Sequence, residues 1–152
     1  MKTIFDAAHL NEIKARIEKI EASAEPRWGK MNVKQMLKHC VENERLLLRE
    51  KKFKDVFIGR IFGKMALKSD VKDDKPFSKS SPTHPDLKVT GEVQESLDQL
   101  KKEWTQLLEK YAELSPGHYD DFVHPFFRKM SDQQVGIWAL KHADHHLRQF
   151  GY

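Results

Sequence analysis

Hydrophobic residues recur at helical spacing in four long segments of this chain. The segments cover about residues 6–22, 32–50, 92–114 and 131–149, and in each the apolar side chains return every three or four positions. Proline and glycine lie between the segments, and no stretch alternates with the period of two that a strand requires. The pattern therefore predicts an all-α fold in which four helices form a bundle.

The segment between the second and third long helices consists of two parts. Residues 55–68 form a shorter amphipathic stretch, which predicts a short extra helix. Residues 72–91 contain Pro76, Pro82 and Pro85 among serines and lysines, so they cannot continue that helix. We therefore expect a four-helix bundle with one long crossover connection, and loops of this length tend to be functional or mobile.

The length and composition fit one globular domain spanning residues 1–152. Hydrophobic residues make up 39% and charged residues 33%, and no apolar run is long enough to cross a membrane. The N-terminus lacks an apolar core followed by small residues, so no secretory signal is expected. Cys40 is the only cysteine, which excludes an internal disulfide and fits a reducing compartment. These features predict a cytoplasmic protein without a membrane partner.

The net charge of +4 does not point to a nucleic-acid partner. The basic residues are concentrated between positions 49 and 75, but no RNA-binding signature or helix-turn-helix pattern accompanies them. We interpret the lysines as a solvated surface and expect a small-molecule substrate.

Two histidines in the last helix, His142 and His146, lie four residues apart and therefore on one helix face. Two imidazoles rarely hold a divalent ion alone, and His39 in the second helix is the best candidate for a third ligand. Three histidines would leave coordination positions open, as in catalytic zinc sites. His145 remains an alternative to His146, and surface or hydrogen-bonding roles for all of them stay open. The helical wheels place these histidines beside the apolar seams, at a margin that we expect solvent to reach.

Other catalytic chemistries lack their motifs. The sequence contains no repeated Glu-x-x-His pairs, no His-Glu-x-x-His, no glycine-rich phosphate loop and no Gly-x-Ser-x-Gly. Cys40 directly follows His39, so the two side chains diverge by about 100° on a helix and we expect Cys40 in the core. His124 precedes Pro125, and we expect it to fix the loop that enters the last helix. No catalytic residue can be named.

Three sequence elements carry a family resemblance. They are the run 28–39, which leads from a tryptophan-containing turn to His39, the His-Pro-Phe-Phe element 124–127, and the run 141–150. Together they resemble the DinB-like (YfiT-like) superfamily, and most closely a small branch that also carries the His-Pro-Phe-Phe element. The resemblance implies a four-helix bundle, often dimeric, with a three-histidine site for zinc, nickel or a related ion. By position, the implied ligands are His39, His142 and His146.

The resemblance also sets the functional expectations, because some members are transferases or isomerases that depend on low-molecular-weight thiols. We expect a metalloenzyme that catalyses thiol-dependent transfer, in preference to a metal-dependent hydrolase, for which no general base is visible. The competing hypothesis is a non-catalytic metal-binding or interaction protein, and a fourth protein ligand on the ion would favour it. Residues 55–68 hold more large apolar side chains than an exposed crossover needs, which predicts a homodimer.

Overall fold

The structure is a computed structural model that describes residues 1–79 and 83–152. Its α-helices are α1 (Ala7–Glu18), α2 (Val33–Leu47), α3 (Phe57–Asp70), α4 (Leu97–Glu109) and α5 (Asp132–Gln149). Short 3₁₀ helices form at Pro85–Leu87 and Lys110–Glu113. No helix in the described ranges has both the length and the apolar character that crossing a membrane requires.

Four of the helices form the bundle. Helices α1 and α2 lie diagonally opposite, and each contacts both α4 and α5. Their apolar faces meet in a core that includes Ile13, Leu37, Trp104 and Ala143, all nearly inaccessible to solvent. Helix α3 lies within the long connection from α2 to α4. The all-α bundle with an extra helix and a long crossover is therefore confirmed.

Capping boxes begin three of the bundle helices. In each box, the side chain of the N-cap residue accepts a hydrogen bond from the backbone N–H of the glutamine three residues later. The side-chain oxygen of that glutamine accepts a hydrogen bond from the backbone N–H of the N-cap residue. The pairs are Asn32 with Gln35, Ser96 with Gln99 and Ser131 with Gln134. The first and third boxes lie at residues 32 and 131, where the sequence pattern predicts that these two helices begin. The second starts α4 at Leu97, five residues later than the periodicity predicts.

The segment between α4 and α5 contains a small hairpin that the sequence pattern did not predict. Val123–His124 pairs antiparallel with Arg128–Lys129. Two residues per strand are too few to produce a visible alternation of apolar and polar side chains. Arg128 adopts a left-handed conformation with φ 68°, which helps the chain to reverse direction.

Helix α3 packs against the turn of this hairpin through small residues. A Cβ atom at Gly59 or Gly63 would lie 2.5 or 2.0 Å from the carbonyl oxygen of Phe126, so only glycine permits this close approach. The opposite face of α3 is exposed. It carries large apolar side chains with 47–73% of their surface accessible, namely Phe57, Ile58, Ile61, Phe62 and Met65. We call these five residues the α3 face.

The described part of the connection 72–91 lies over the side of the bundle where α2 and α5 meet. The ring of Phe77 lies 5.7 Å from that of Trp138 on α5, and the buried Leu87 contacts His39 on α2. Pro82, one of the three prolines that predicted this loop, lies outside the described residues. The crossover therefore covers one interhelical groove of the bundle.

Candidate metal centre

His39 from α2 and His142 and His146 from α5 converge between the two helices. Each offers one potential ligand nitrogen, and these nitrogens all lie within 4.8 Å of one another. The Nε2 atoms of His39 and His142 are 3.1 Å apart. The ring centroids of His39 and His146 are 4.7 Å apart, and those of His142 and His146 are 4.6 Å apart. The structure therefore brings together the three histidines that the sequence analysis selected, and together they could hold a metal ion.

The three imidazoles are buried, which corrects the expectation of a solvent-reachable margin. His39, His142 and His146 expose only 3%, 6% and 7% of their surface. Helical wheels describe the bundle helices alone, whereas here the crossover covers the groove through Phe77 and Leu87. The site is therefore a low-dielectric interior site.

Hydrogen bonds to the Nδ1 atoms determine the tautomers of two histidines. His39 donates its Nδ1 hydrogen to the carbonyl oxygen of Leu87 at 2.9 Å. His146 donates its Nδ1 hydrogen to the side-chain oxygen of Gln149 at 2.8 Å, and the amide nitrogen of Gln149 donates to the carbonyl oxygen of Trp28 at 2.8 Å. That second bond fixes which end of the amide faces His146. Both Nε2 atoms consequently carry free lone pairs, and such outer partners typically orient metal-ligating histidines.

Glycine is required in the turn that supports Gln149. Gly29 has a positive φ of 84°, and a Cβ atom there would lie 2.6 Å from the Gln149 amide nitrogen. Any larger residue would be strained and would push the amide away from its acceptor. The tryptophan-containing turn before α2 thus helps to orient His146 on α5.

The donor set fits a divalent cation. With its Nδ1 hydrogen given to Leu87, His39 directs the bare Nε2 atom toward Nε2 of His142 at 3.1 Å. Without an ion, neutral His142 donates its Nε2 hydrogen to this lone pair of His39, and a bound cation would replace that hydrogen. Nitrogens bonded to one tetrahedral zinc ion at about 2.0–2.1 Å are about 3.3 Å apart, close to the distance seen here. Nδ1 of His142 is buried without a hydrogen-bond partner in the described part of the chain.

Burial keeps the histidines in the form that binds metal. It lowers the pKa of His39, His142 and His146, because a charged imidazolium is poorly solvated in the interior. The neighbouring imidazoles lower the pKa of His142 and His146 further. Neutral imidazole is the ligating species, so the site needs to release few protons when it takes up an ion.

No further ligand from the described residues joins the three histidines: no other histidine, cysteine, aspartate or glutamate belongs to the cluster. Cys40 lies beside His39 in the chain but is fully buried in the core, as expected, and burial raises the pKa of its thiol well above its usual range. An ion held by the three imidazoles would keep at least one coordination position for an exogenous ligand.

The other histidines near the site have different surroundings. His145 lies outside the cluster and packs its ring 5.5 Å from Trp28 and 6.1 Å from Phe77. His124 accepts hydrogen bonds at Nδ1 from the backbone of Phe126 and Phe127, each at 3.1 Å, and so fixes the hairpin turn as predicted. Burial lowers the pKa of His124 to about 3.

Aromatic side chains form the wall next to His142. Trp138 lies one helical turn before it on α5 and stacks on its imidazole, with centroids 4.9 Å apart and planes at 15°. Phe127 and Phe77 contact the indole in turn, at 5.3 and 5.7 Å. This wall links the His-Pro-Phe-Phe element to the histidine cluster and excludes water from that side.

Two polar residues of α2, Asn43 and Glu44, are buried in the core of the bundle. Asn43 lies one turn beyond His39 and is fully inaccessible. Glu44 interrupts the apolar seam of α2, and one of its oxygens accepts a hydrogen bond from the Tyr111 hydroxyl at 2.6 Å. Burial raises the pKa of Glu44 to about 7. In the sequence, both residues can be recognised as polar residues on the inward face of an amphipathic helix.

The family model described as the DinB superfamily matches residues 8–150, which is most of the chain. Neither the curated proteins nor the solved structures contain a significant match.

Proposed function

This chain belongs to the DinB superfamily, and on that premise we propose that it is a metalloenzyme whose His39, His142 and His146 hold one divalent ion. The observation that carries the proposal is the convergence of three buried, neutral imidazoles without a fourth protein ligand among the described residues. Imidazole nitrogen suits zinc and nickel, and we propose one of these as the native ion.

The charge of the ligand set favours an anionic exogenous ligand. Three neutral imidazoles leave the double positive charge of the ion uncompensated in a buried site, where an anion is attracted strongly. We propose that this ligand is the thiolate of a low-molecular-weight thiol. The ion would act as a Lewis acid toward the bound thiolate and would orient the reacting groups. Trp138 and Phe77 would shield the reaction from water.

The proposed reaction transfers the thiol to a small electrophile. The sulfur forms a bond to an electrophilic carbon of the substrate, the leaving group departs with its electron pair, and the thiol proton is released. Family membership supports this class of reaction, and a cytoplasmic location, which we also propose, would supply the reduced thiol. Hydrolysis is the competing chemistry.

Metal analysis tests the ligand assignment. In protein purified without a metal-affinity tag, His39→Ala, His142→Ala and His146→Ala should each lose most of the bound metal, since two imidazoles hold a divalent ion weakly. Chelation should also lower the melting temperature of the unaltered protein, because the ion binds the folded state preferentially. Elemental analysis and thermal denaturation provide the two measurements.

His9→Ala is the matched control, because His9 lies on α1 outside the cluster, and it should retain its metal. Undiminished metal in both His142→Ala and His146→Ala would contradict the assignment. An equal loss in His145→Ala would instead make the neighbouring histidine a ligand.

Turnover assays test the reaction class. Small electrophiles combined with glutathione, bacillithiol or a simple thiol should be converted faster by the intact protein than by His39→Ala, and chelation should abolish the difference. Equal rates for the two proteins would contradict a catalytic role. Metal-dependent hydrolysis of an ester or amide without thiol would identify a hydrolase.

We also propose that the protein forms a homodimer through the α3 face. Contiguous exposed apolar patches are rare on monomeric proteins and usually mark an interaction site. The five large side chains of the α3 face support this proposal, because the inward side of the helix already packs on the hairpin through glycine.

A further inference from the structure

A single layer of aromatic rings separates one side of the histidine cluster from solvent. The ring of His145 lies 5.0 Å from that of His146 and is itself only partly buried. The rings of Trp28 and Phe77 lie 5.5 and 6.1 Å from that of His145, and both are partly buried as well. The shortest way from solvent to the buried cluster therefore passes between these three rings, and at least one of them has to move.

Two of the three rings belong to parts of the fold that are held in place. His145 lies within α5, one of the bundle helices. Trp28 lies in the turn before α2, and two hydrogen bonds join this turn to Gln149 on α5. The Gln149 side-chain amide donates to the carbonyl oxygen of Trp28 at 2.8 Å, and the backbone N–H of Arg27 donates to the carbonyl oxygen of Gln149 at 2.7 Å. Neither ring can leave without disturbing a bundle helix or this turn.

Phe77, in contrast, lies in a segment that forms neither helix nor strand. The start of this segment is fastened to α5, because the Lys141 ammonium donates to the carbonyl oxygens of Asp70 and Asp73, the second at 3.0 Å. Four residues beyond Asp73, the ring of Phe77 rests on α5, 5.7 Å from the ring of Trp138 and 5.1 Å from the Lys141 ammonium. These are contacts between side chains, so the ring can detach locally while the start of the segment stays fastened.

We propose that Phe77 is a gate whose release from α5 admits both the ion and the exogenous ligand to the histidine cluster. The proposal rests on the three-histidine centre proposed above. The ring packs on Trp138, Lys141 and His145, which are not among the proposed ligands. Aromatic and cation–π contacts of this kind favour the closed state modestly, so a minor fraction of molecules is open. The gate therefore controls how fast the site is filled and emptied, and it leaves the strength of metal binding unchanged.

Rates of metal exchange test the gate without an assay of activity. Co²⁺ would replace the native ion, and the visible absorption of the cobalt would follow its uptake by metal-free protein and its release to an excess of chelator. In Phe77→Ala both rates should rise by the same factor, about tenfold, because the contacts that favour the closed state are lost. The equilibrium affinity for Co²⁺ should stay close to that of the unaltered protein, since the three imidazoles remain.

Two control variants should exchange Co²⁺ at the rates of the unaltered protein. Phe77→Tyr keeps the aromatic ring, and Phe5→Ala removes a partly exposed phenylalanine that packs on Tyr111 instead, at 5.8 Å. Unchanged rates in Phe77→Ala would overturn the gate. Faster release without faster uptake would also overturn it, because that result indicates a weakened site. An unaltered protein that takes up no Co²⁺ would overturn the metal centre, and the gate with it.

Discussion

At the scale of single residues, Glu44 is a carboxyl group buried among apolar side chains. Its oxygen accepts the Tyr111 hydroxyl hydrogen at 2.6 Å, yet burial outweighs that bond and raises its pKa from 4.5 to about 7. The same burial raises the pKa of Tyr111 well above its usual range. The pair is therefore held in place by packing, and its ionisation is unfavourable.

Glu44 makes stability depend on pH. Its pKa is higher in the folded state than in the unfolded chain, so between about pH 4.5 and 7 the folded state binds more protons. The free energy of unfolding should therefore fall as pH rises through this window, by about 3 kcal/mol from this group. In Glu44→Gln that contribution should disappear, which urea unfolding of both proteins at several pH values would measure.

The exposed change Glu25→Gln is the control and should leave the pH profile unaltered. The buried histidines also make the free energy of unfolding depend on pH, with the opposite sign. Their contribution cancels when the free energy of unfolding of the variant is subtracted from that of the unaltered protein at each pH. Identical pH dependence with and without the Glu44 carboxyl group would contradict this prediction.

The residues that orient the histidines were harder to predict than the histidines themselves. The i,i+4 spacing of His142 and His146 is visible in the sequence, whereas Leu87 and Trp28 contribute backbone carbonyl oxygens that any residue could supply. Gln149 follows His146 by three residues, but a glutamine at the end of a helix has many other uses.

At the scale of elements, α3 reverses the usual amphipathic arrangement. Its inward side holds Gly59 and Gly63 against the Phe126 backbone, and its outward side is the apolar α3 face. Because glycine buries little area, the contact with the hairpin is close but small. The large side chains remain available for an interface.

Sedimentation tests whether a second copy covers the α3 face. At micromolar concentration the unaltered protein should sediment as about twice the 17.9 kDa chain. Ile61→Glu should sediment as the single chain, because it buries an unpaired charge in the proposed interface. Val123→Glu changes an exposed apolar residue outside the α3 face and should remain dimeric. A single-chain species for the unaltered protein would contradict the dimer.

Element types were predictable from the sequence and element ends were less so. Apolar spacing identified every bundle helix, and the predicted starts at residues 32 and 131 coincide with the capping boxes at Asn32 and Ser131. The periodicity placed the start of α4 too early because Val93 is apolar and buried although it precedes the helix. The hairpin strands were too short to produce a pattern.

At the scale of the whole molecule, the depth of the site was the feature that helix patterns could not predict. The wheels of α2 and α5 place their histidines at the edge of the core. The crossover then covers it with Phe77 and Leu87, an interaction between segments far apart in sequence. Nothing in the local pattern of residues 72–91 specifies which groove the described part of this connection covers.

The hydrogen bond from His39 to Leu87 joins the crossover to the histidine cluster. Any ion that binds Nε2 of His39 favours the tautomer with hydrogen on Nδ1, and that tautomer is the one that holds the Leu87 carbonyl. Metal occupancy and docking of the crossover would then be linked equilibria, and each would strengthen the other by the same factor. The docking of the crossover on the bundle would thus depend on whether a metal ion occupies the site.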